Sequence, residues 1–323
     1  MTESASIRAA RGSAAVQRLD RTVMVVTGDD AADYLDRTLT NDLVAVAPGE
    51  VRRALLLDED GRTRALLDLI RTDDGYLVAA ATDGDTDLAA EWRDNVFIED
   101  VTVEQRDDAV LSVQGPDARD RLTAMGLGVP ADADLAPGAV GGVGPTAWRR
   151  DRSPAGGYLL IADDPDDILG RLADADVPVL DDAAADALRV QARTPALDRE
   201  LAGRLPLGMG VDDAIDHDKG CYVGQEVVAR VHQRAGGPDR RLVRLDAAGP
   251  LAEGAAVLDG DEAVGEVTTA ADAPDVGPIA LAVLDDDAPR RLRAADGTSI
   301  RRVDTAAGLA GDGTAPAEGE VSP

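Results

Sequence analysis

One ten-residue pattern occurs twice in this chain, and it narrows the available folds more than any other feature. Val26-Thr27-Gly28-Asp29-Asp30-Ala31-Ala32-Asp33-Tyr34-Leu35 aligns without a gap on Val113-Gln114-Gly115-Pro116-Asp117-Ala118-Arg119-Asp120-Arg121-Leu122. In each copy an apolar β-run stops at Gly, an Asp is offered as a helix cap, and apolar residues then return at helical spacing. In the first copy these are Tyr34, Leu35, Thr38 and Leu39, with Asp29 or Asp30 as the cap. A second echo follows: Gly75-Tyr76-Leu77-Val78 matches Gly157-Tyr158-Leu159-Leu160, and both lead into an acidic helix start. The first half is therefore expected to contain two related strand–helix–strand units.

The residues between and beyond these copies fill in the rest. Three apolar runs, Arg53–Leu57, Ala65–Ile70 and Tyr76–Ala80, are separated by Asp58-Glu59-Asp60-Gly61 and Thr72-Asp73-Asp74-Gly75, which is turn chemistry and predicts a β-meander. Ala185, Leu188 and Ala192 predict a helix over Asp182–Gln191 that Pro195 ends. After Gly236-Gly237-Pro238 the runs Leu242–Leu245, Ala255–Leu258, Ala263–Thr268 and Ile279–Val283 predict a small all-β domain. The expected class is α+β, with two related units in residues 1–235, a C-terminal β-barrel in 236–305 and a disordered tail in 306–323. Met1 to Gly12 reads as a polar leader with no apolar signal core.

Charge excludes whole classes of partner. With 33 basic and 62 acidic side chains the formal net charge is −29, so nucleic acid and anionic membrane surfaces would be repelled. Lys219 is the single Lys among those 33 cations, and aromatics are only 2%. Acidic surplus, small apolar residues and Arg in place of Lys fit a cytoplasmic protein of a salt-in halophile, where molar salt shortens the Debye length to about 3 Å. No run approaches the length of a membrane span. One Cys excludes an internal disulfide and a multi-Cys zinc site, so no metal is assigned.

Chemistry concentrates in one segment. The only Lys, the only Cys and both His lie in His217-Asp218-Lys219-Gly220-Cys221-Tyr222-Val223-Gly224-Gln225-Glu226-Val227-Val228-Ala229-Arg230-Val231-His232. A Lys retained where every other cation is Arg marks a place for a compact ammonium with three rotatable donors. Two glycines bracket Cys221-Tyr222-Val223. A helix starting at Gln225, together with Lys219 and Arg230, would favour a thiolate or an anion. A lone Cys is more often a small buried hydrophobe, and a Cys/His pair here lacks a third orienting group.

The run Lys219-Gly220-Cys221-Tyr222-Val223-Gly224-Gln225-Glu226 resembles the signature of the folate-binding YgfZ family, relatives of the glycine-cleavage T-protein (aminomethyltransferase). Further resemblance lies in Asp20-Arg21, Gly28-Asp29-Asp30, Asn41-Asp42, the meander with Asp68, Asn95-Val96-Phe97-Ile98, Val113-Gln114-Gly115-Pro116, and Leu188-Arg189 through Pro195 to Glu200-Leu201. The resemblance implies a ring of two α+β units and a β-barrel around a channel for tetrahydrofolate. On the YgfZ side it implies folate-dependent assembly or repair of iron–sulfur clusters through the motif Cys, with iron–sulfur proteins or their assembly factors as partners. On the T-protein side it implies aminomethyl transfer from a lipoyl carrier to tetrahydrofolate with release of ammonia. T-proteins lack the Lys-Gly-Cys-Tyr motif, which favours the first.

Two positions depart from the family pattern: Gln191 replaces the Glu of an Arg-x-Glu, and Gly208 replaces the Glu of a Pro-x-Glu. A folate pocket needs acceptors for the aminopterin, an apolar slot and cations for the glutamate carboxylates. The expected set is Cys221 and Asp68 as catalytic groups, Asp68 and Gln191 toward the pterin, Asn41 also in the substrate site, Lys219, Tyr222, Gln225 and Glu226 from the motif, and Arg230, Arg240 and Arg241 for carboxylates.

Overall fold

The repeated pattern folds the same way twice. The computed structural model describes residues 5–84, 86–129, 145–234, 236–274 and 276–303. Helix α1 (Ala5–Gly12) and strand β1 (Ala15–Leu19) come first. From Ala5 onward the expected polar leader is a helix, because Ile7 and Ala10 bury against Ala184, Ala187 and Leu188, a face too small to stand out as an apolar run. Next come β2 (Thr22–Thr27), α2 (Ala31–Thr38), the meander β3 (Val51–Leu57), β4 (Thr63–Arg71) and β5 (Gly75–Thr82), then α3 (Leu88–Asp94) and β6 (Thr102–Arg106). The second unit holds β7 (Ala109–Gln114), α4 (Ala118–Ala124), β8 (Thr146–Arg149), β9 (Gly157–Ala162) and α5 (Pro165–Asp174).

Register carries the repeat. Val26 and Thr27 face Tyr76 and Gly75 across β2–β5, while Val113 and Gln114 face Tyr158 and Gly157 across β7–β9. Gly28 and Gly115 both take positive φ, +120° and +133°, and a Cβ on either would lie 2.0 Å from the Asp100 carbonyl oxygen or 2.3 Å from that of Ser13. Only glycine permits so close a backbone approach. Asp30 and Asp117 occupy the cap positions with ψ of 4° and 3°, away from the extended geometry that lets a carboxylate reach the first helical N–H groups. Neither side chain caps its helix; Asp30 instead accepts from the Asp100 N–H at 2.8 Å.

The two sheets run β3-β4-β5-β2-β6 and β1-β7-β9-β8. They exchange edge strands: β1 precedes β2 in sequence yet pairs with β7, and β6 precedes β7 yet pairs with β2. Val23, Val51, Ile70, Trp148, Leu159 and Ile161 share the core between them. Helix α6 (Asp182–Ala192) is capped by Asp181, which accepts from the Ala184 N–H at 2.7 Å. It ends through Arg193 in the left-handed conformation before Pro195. A π-helical turn (Leu197–Leu201), a 3-10 turn (Asp212–Ala214) and α7 (Gln225–His232) lead to the barrel.

That barrel closes as β10-β13-β12-β11-β14-β15, from β10 (Arg240–Ala247), β11 (Ala256–Asp259), β12 (Glu262–Ala273), β13 (Gly277–Asp285), β14 (Arg291–Ala294) and β15 (Ser299–Val303). The expected α+β fold with two related units and a β-barrel is the one observed. The last two strands carry few apolar residues among their arginines, which hides them from a hydrophobic-run reading. The segment 306–323, expected to be a disordered tail, lies outside the described residues. No helix among those described is long and apolar enough to cross a membrane.

Candidate functional site

Asp68 sits in the middle of β4 and is 1% exposed. Both its oxygens are engaged: Arg21, from the β1–β2 crossover, donates from Nη1 to Oδ2 at 2.7 Å, and Arg150, following β8, donates from Nη2 to Oδ1 at 2.5 Å. One carboxylate therefore joins the crossover to both repeated units. Arg53, directly across from Asp68 on β3, pairs with Asp213 at 3.1 Å, and Arg150 reaches the same Asp213 at 3.4 Å. Asn41 completes the cluster by donating Nδ2–H to the Arg53 carbonyl at 2.8 Å and to the Asp213 carbonyl at 2.9 Å.

Burial pushes the Asp68 carboxyl up, but Arg150, Arg21 and Arg53 together outweigh it and hold the group well below the usual carboxylate range. At neutral pH it is ionised. An ionised carboxylate has about four lone-pair directions, so two ion pairs leave it able to accept a further N–H. It is an acceptor and an anchor, not a base that takes a proton.

Lys219 behaves differently from the expectation that its ammonium faces a ligand. Its side chain is 2% exposed, and Nζ donates to the backbone carbonyls of Asp36 at 2.5 Å, Leu39 at 3.0 Å and Asn41 at 2.7 Å, with the Asp36 carboxylate at 3.1 Å. These carbonyls lie at and just past the C-terminal end of α2, where unpaired acceptors and the negative dipole end favour a cation. Three converging carbonyls suit the three donors of an ammonium and not a planar guanidinium, which accounts for the one Lys in an Arg-rich chain.

The rest of the motif splits between core and surface. Tyr222 is buried with Leu55, Leu57 and barrel residues, and Lys219 Nζ lies 5.7 Å from its ring centre. Gly224, at φ +79°, packs so closely on the β3–β4 turn that a Cβ would meet the Asp58 carbonyl oxygen at 2.5 Å. Cys221 is exposed, and no hydrogen bond or ion pair among the described residues ties it to the Asp68 cluster. Gln225 is half-buried, while Glu226 and Arg230 are exposed on α7. His217 stacks on His232 with ring centres 3.7 Å apart.

The other expected ligand groups are dispersed. Gln191 is buried on α6, where its Oε1 accepts from Arg11 at 3.1 Å. Arg240 pairs with Asp285 at 3.2 Å and Arg241 with Asp286, so both cations expected to meet folate carboxylates already hold acids on the barrel. Gly208 has φ +78°, and a Cβ there would lie 2.8 Å from the Arg240 carbonyl oxygen. A glutamate cannot take that position without moving backbone. Within the family blocks, Arg189 and Glu200 form a buried ion pair at 2.7 Å, and Glu200 also accepts from Thr268 and Thr269 on β12 at 2.8 and 2.6 Å.

The structure thus brings together Asn41 and Asp68 through Arg53, with Lys219 behind them through the Asn41 carbonyl, while no hydrogen bond or ion pair among the described residues joins them to Gln191, Arg230, Arg240 or Arg241. The cations that matter, Arg21, Arg53 and Arg150, were absent from the expected set. The signal for one of them was the run Arg149-Arg150-Asp151-Arg152 in a strongly acidic chain.

Fold and site define a class: a protein of two exchanged α+β units and a β-barrel, with an arginine-held carboxylate where the two units meet. Residues 2–136 match the GCVT N-terminal domain family. An aminomethyltransferase of Exiguobacterium sibiricum is 32% identical over 274 residues, covering 81% of this chain and 75% of that protein. Another, from Bacillus subtilis, is 29% identical over 88% of this chain and 82% of its own length. A probable aminomethyltransferase of Natronomonas pharaonis is 30% identical over 85% and 79%. The crystal structure of glycine cleavage system aminomethyltransferase T from Bartonella henselae superposes with a TM-score of 0.82 over 93% of this chain and 87% of that one, at 20% identity. The chain belongs to the aminomethyltransferase family of glycine-cleavage T-protein relatives.

Proposed function

We propose that this protein is a tetrahydrofolate-dependent one-carbon transferase of the aminomethyltransferase type. The observation that carries the reading is Asp68, a buried carboxylate kept ionised where the two repeated units meet, in a chain that aligns along most of its length with aminomethyltransferases. Its remaining lone pairs fit the N–H edge of a reduced pterin, which is what the site must offer such a substrate. Asp68 orients the attacking nitrogen by accepting its hydrogen bond. Arg21 and Arg150 fix the carboxylate, so little reorganisation is needed as charge develops. Tetrahydrofolate supplies the nitrogen that takes the one-carbon unit; the protein supplies position.

The test is formation of methylenetetrahydrofolate from an aminomethyl-loaded carrier, beside a calorimetric titration with tetrahydrofolate. Asp68→Asn is expected to lower turnover on the order of a hundredfold, the usual effect of losing a positioning contact. Absence of product from wild type, or equal turnover by Asp68→Asn, overturns the reading.

A second reading rests on the exposed thiol. The only Cys of the chain is at the surface, although lone cysteines are commonly buried. A YgfZ-like role in folate-dependent iron–sulfur cluster assembly or repair would use Cys221 there, with iron–sulfur proteins or their assembly factors as partners. Full recovery of cluster-enzyme activity by Cys221→Ala in a deletion strain removes this reading and leaves the transferase one intact.

A further inference from the structure

A cavity of roughly 450 Å³ opens beside the Asp68 cluster, walled by the β1–β2 crossover, the end of β5, α6 and the turn after it. Its cations are not equivalent. Arg18 is exposed to solvent on β1, Arg21 holds Asp68, Arg189 holds Glu200 and Asp186, and Arg199 pairs with Asp198 and Glu253. Arg152 also forms part of the wall, half-buried, yet its guanidinium makes no hydrogen bond or ion pair among the described residues; only its backbone N–H is used, donating to Gln114 Oε1 at 2.8 Å.

A cation partly withdrawn from water without a partner is disfavoured, and here the surroundings add to the penalty. Burial first, then Arg21, Arg189 and Arg53, push Arg152 down to about 9, and Asp68, the acid that works against them, is already held by two arginines. The missing partner is an anion. Its type follows from the wall. Asp20, Asp182, Asp186 and Asp198 repel a doubly charged phosphate, whereas a single carboxylate matches the guanidinium fork with two parallel N–H···O bonds. Leu19, Leu66, Ala81, Pro195 and Leu197 offer apolar surface to the body that carries it.

We propose that this cavity is a carboxylate-binding site centred on Arg152. The site goes beyond the transferase reading and stands without it: the carboxylate belongs either to a free organic acid or to a larger substrate that reaches the cavity.

The experiment is a calorimetric titration of the full chain with benzoate, at ionic strength held constant by potassium fluoride, whose tightly hydrated anion competes weakly for a guanidinium. Wild type is expected to show one saturable site, weakened roughly tenfold or more in Arg152→Met, as for loss of one partner of a buried charge pair. In thermal melts without carboxylate, Arg152→Met should melt no lower than wild type, because it removes an unpaired cation. Saturating benzoate should then raise the melting temperature of wild type alone. If that variant does not fold, Arg152→Lys decides, since it keeps the charge, loses the fork and should bind severalfold more weakly. Displacement of benzoate by tetrahydrofolate would assign the carboxylate to folate; additive binding would assign it to a separate acid. No saturable benzoate site, unchanged affinity in the variants, or tighter binding of hydrogenphosphate or chloride than of benzoate overturns the proposal. Folate transfer and benzoate binding are read separately, so either can fail alone.

Discussion

Two single positions show how local geometry fixes residue type. Lys219 closes three backbone carbonyls at and after the end of α2. Lys219→Arg should therefore destabilise the protein despite keeping the charge, by about 1–3 kcal/mol for each buried carbonyl left without a donor. An unchanged urea midpoint and slope at fixed salt would contradict this role. Gly208 is the converse case, a position where a side chain is excluded. Gly208→Glu, which restores the family's Pro-x-Glu, should lower the unfolding free energy by more than the roughly 1–2 kcal/mol of a left-handed non-glycine residue, since its Cβ also meets the Arg240 carbonyl. The departure at 208 is thus a feature of this backbone, and restoring the acid should not restore a ligand contact.

At the level of elements, two buried ion clusters bind the parts together. Asp68→Asn leaves Arg21 and Arg150 without their carboxylate, a loss of about 3–5 kcal/mol at neutral pH. The sign of the pH dependence follows from the depressed folded value: the contribution is present above the unfolded carboxylate pKa of about 3.9 and is lost as pH falls below it. The stability gap between wild type and Asp68→Asn should therefore be constant from pH 7 to about 5 and shrink from pH 4 downward. Urea titrations across that range would show it, and a gap that widens in acid would refute it. Glu200 clips the turn after α6 to β12 through Thr268 and Thr269 while neutralising Arg189. Glu200→Gln should cost a similar amount and loosen α6 from the barrel, seen as faster amide exchange in both.

For the whole molecule the exchanged edge strands are decisive. Because β1 completes the second sheet and α1 packs on α6, deleting residues 1–20 should open β7 as an edge and destroy cooperative unfolding, although the deletion touches neither repeated pattern. A soluble, cooperatively unfolding truncate would refute that. The repeat, the meander, α6 and most barrel strands were legible because each is a local pattern of apolar spacing and turn chemistry. The segment 217–232 was legible as well, since a lone Lys, a lone Cys and two glycines stand out in any composition. What they do was not. Lys219 proved a structural pin, Arg240 and Arg241 were already paired, and Arg21, Arg53 and the pair Arg150 and Arg152 converge from three places more than thirty residues apart. The sequence by itself determined the elements and their duplication, because hydrogen-bonded periodicity and backbone-permissive glycines are properties of neighbouring residues. Only the tertiary structure decided which charges meet, because a buried ion pair depends on which distant strands share a core, and burial then decides which of the many arginines is left without a partner.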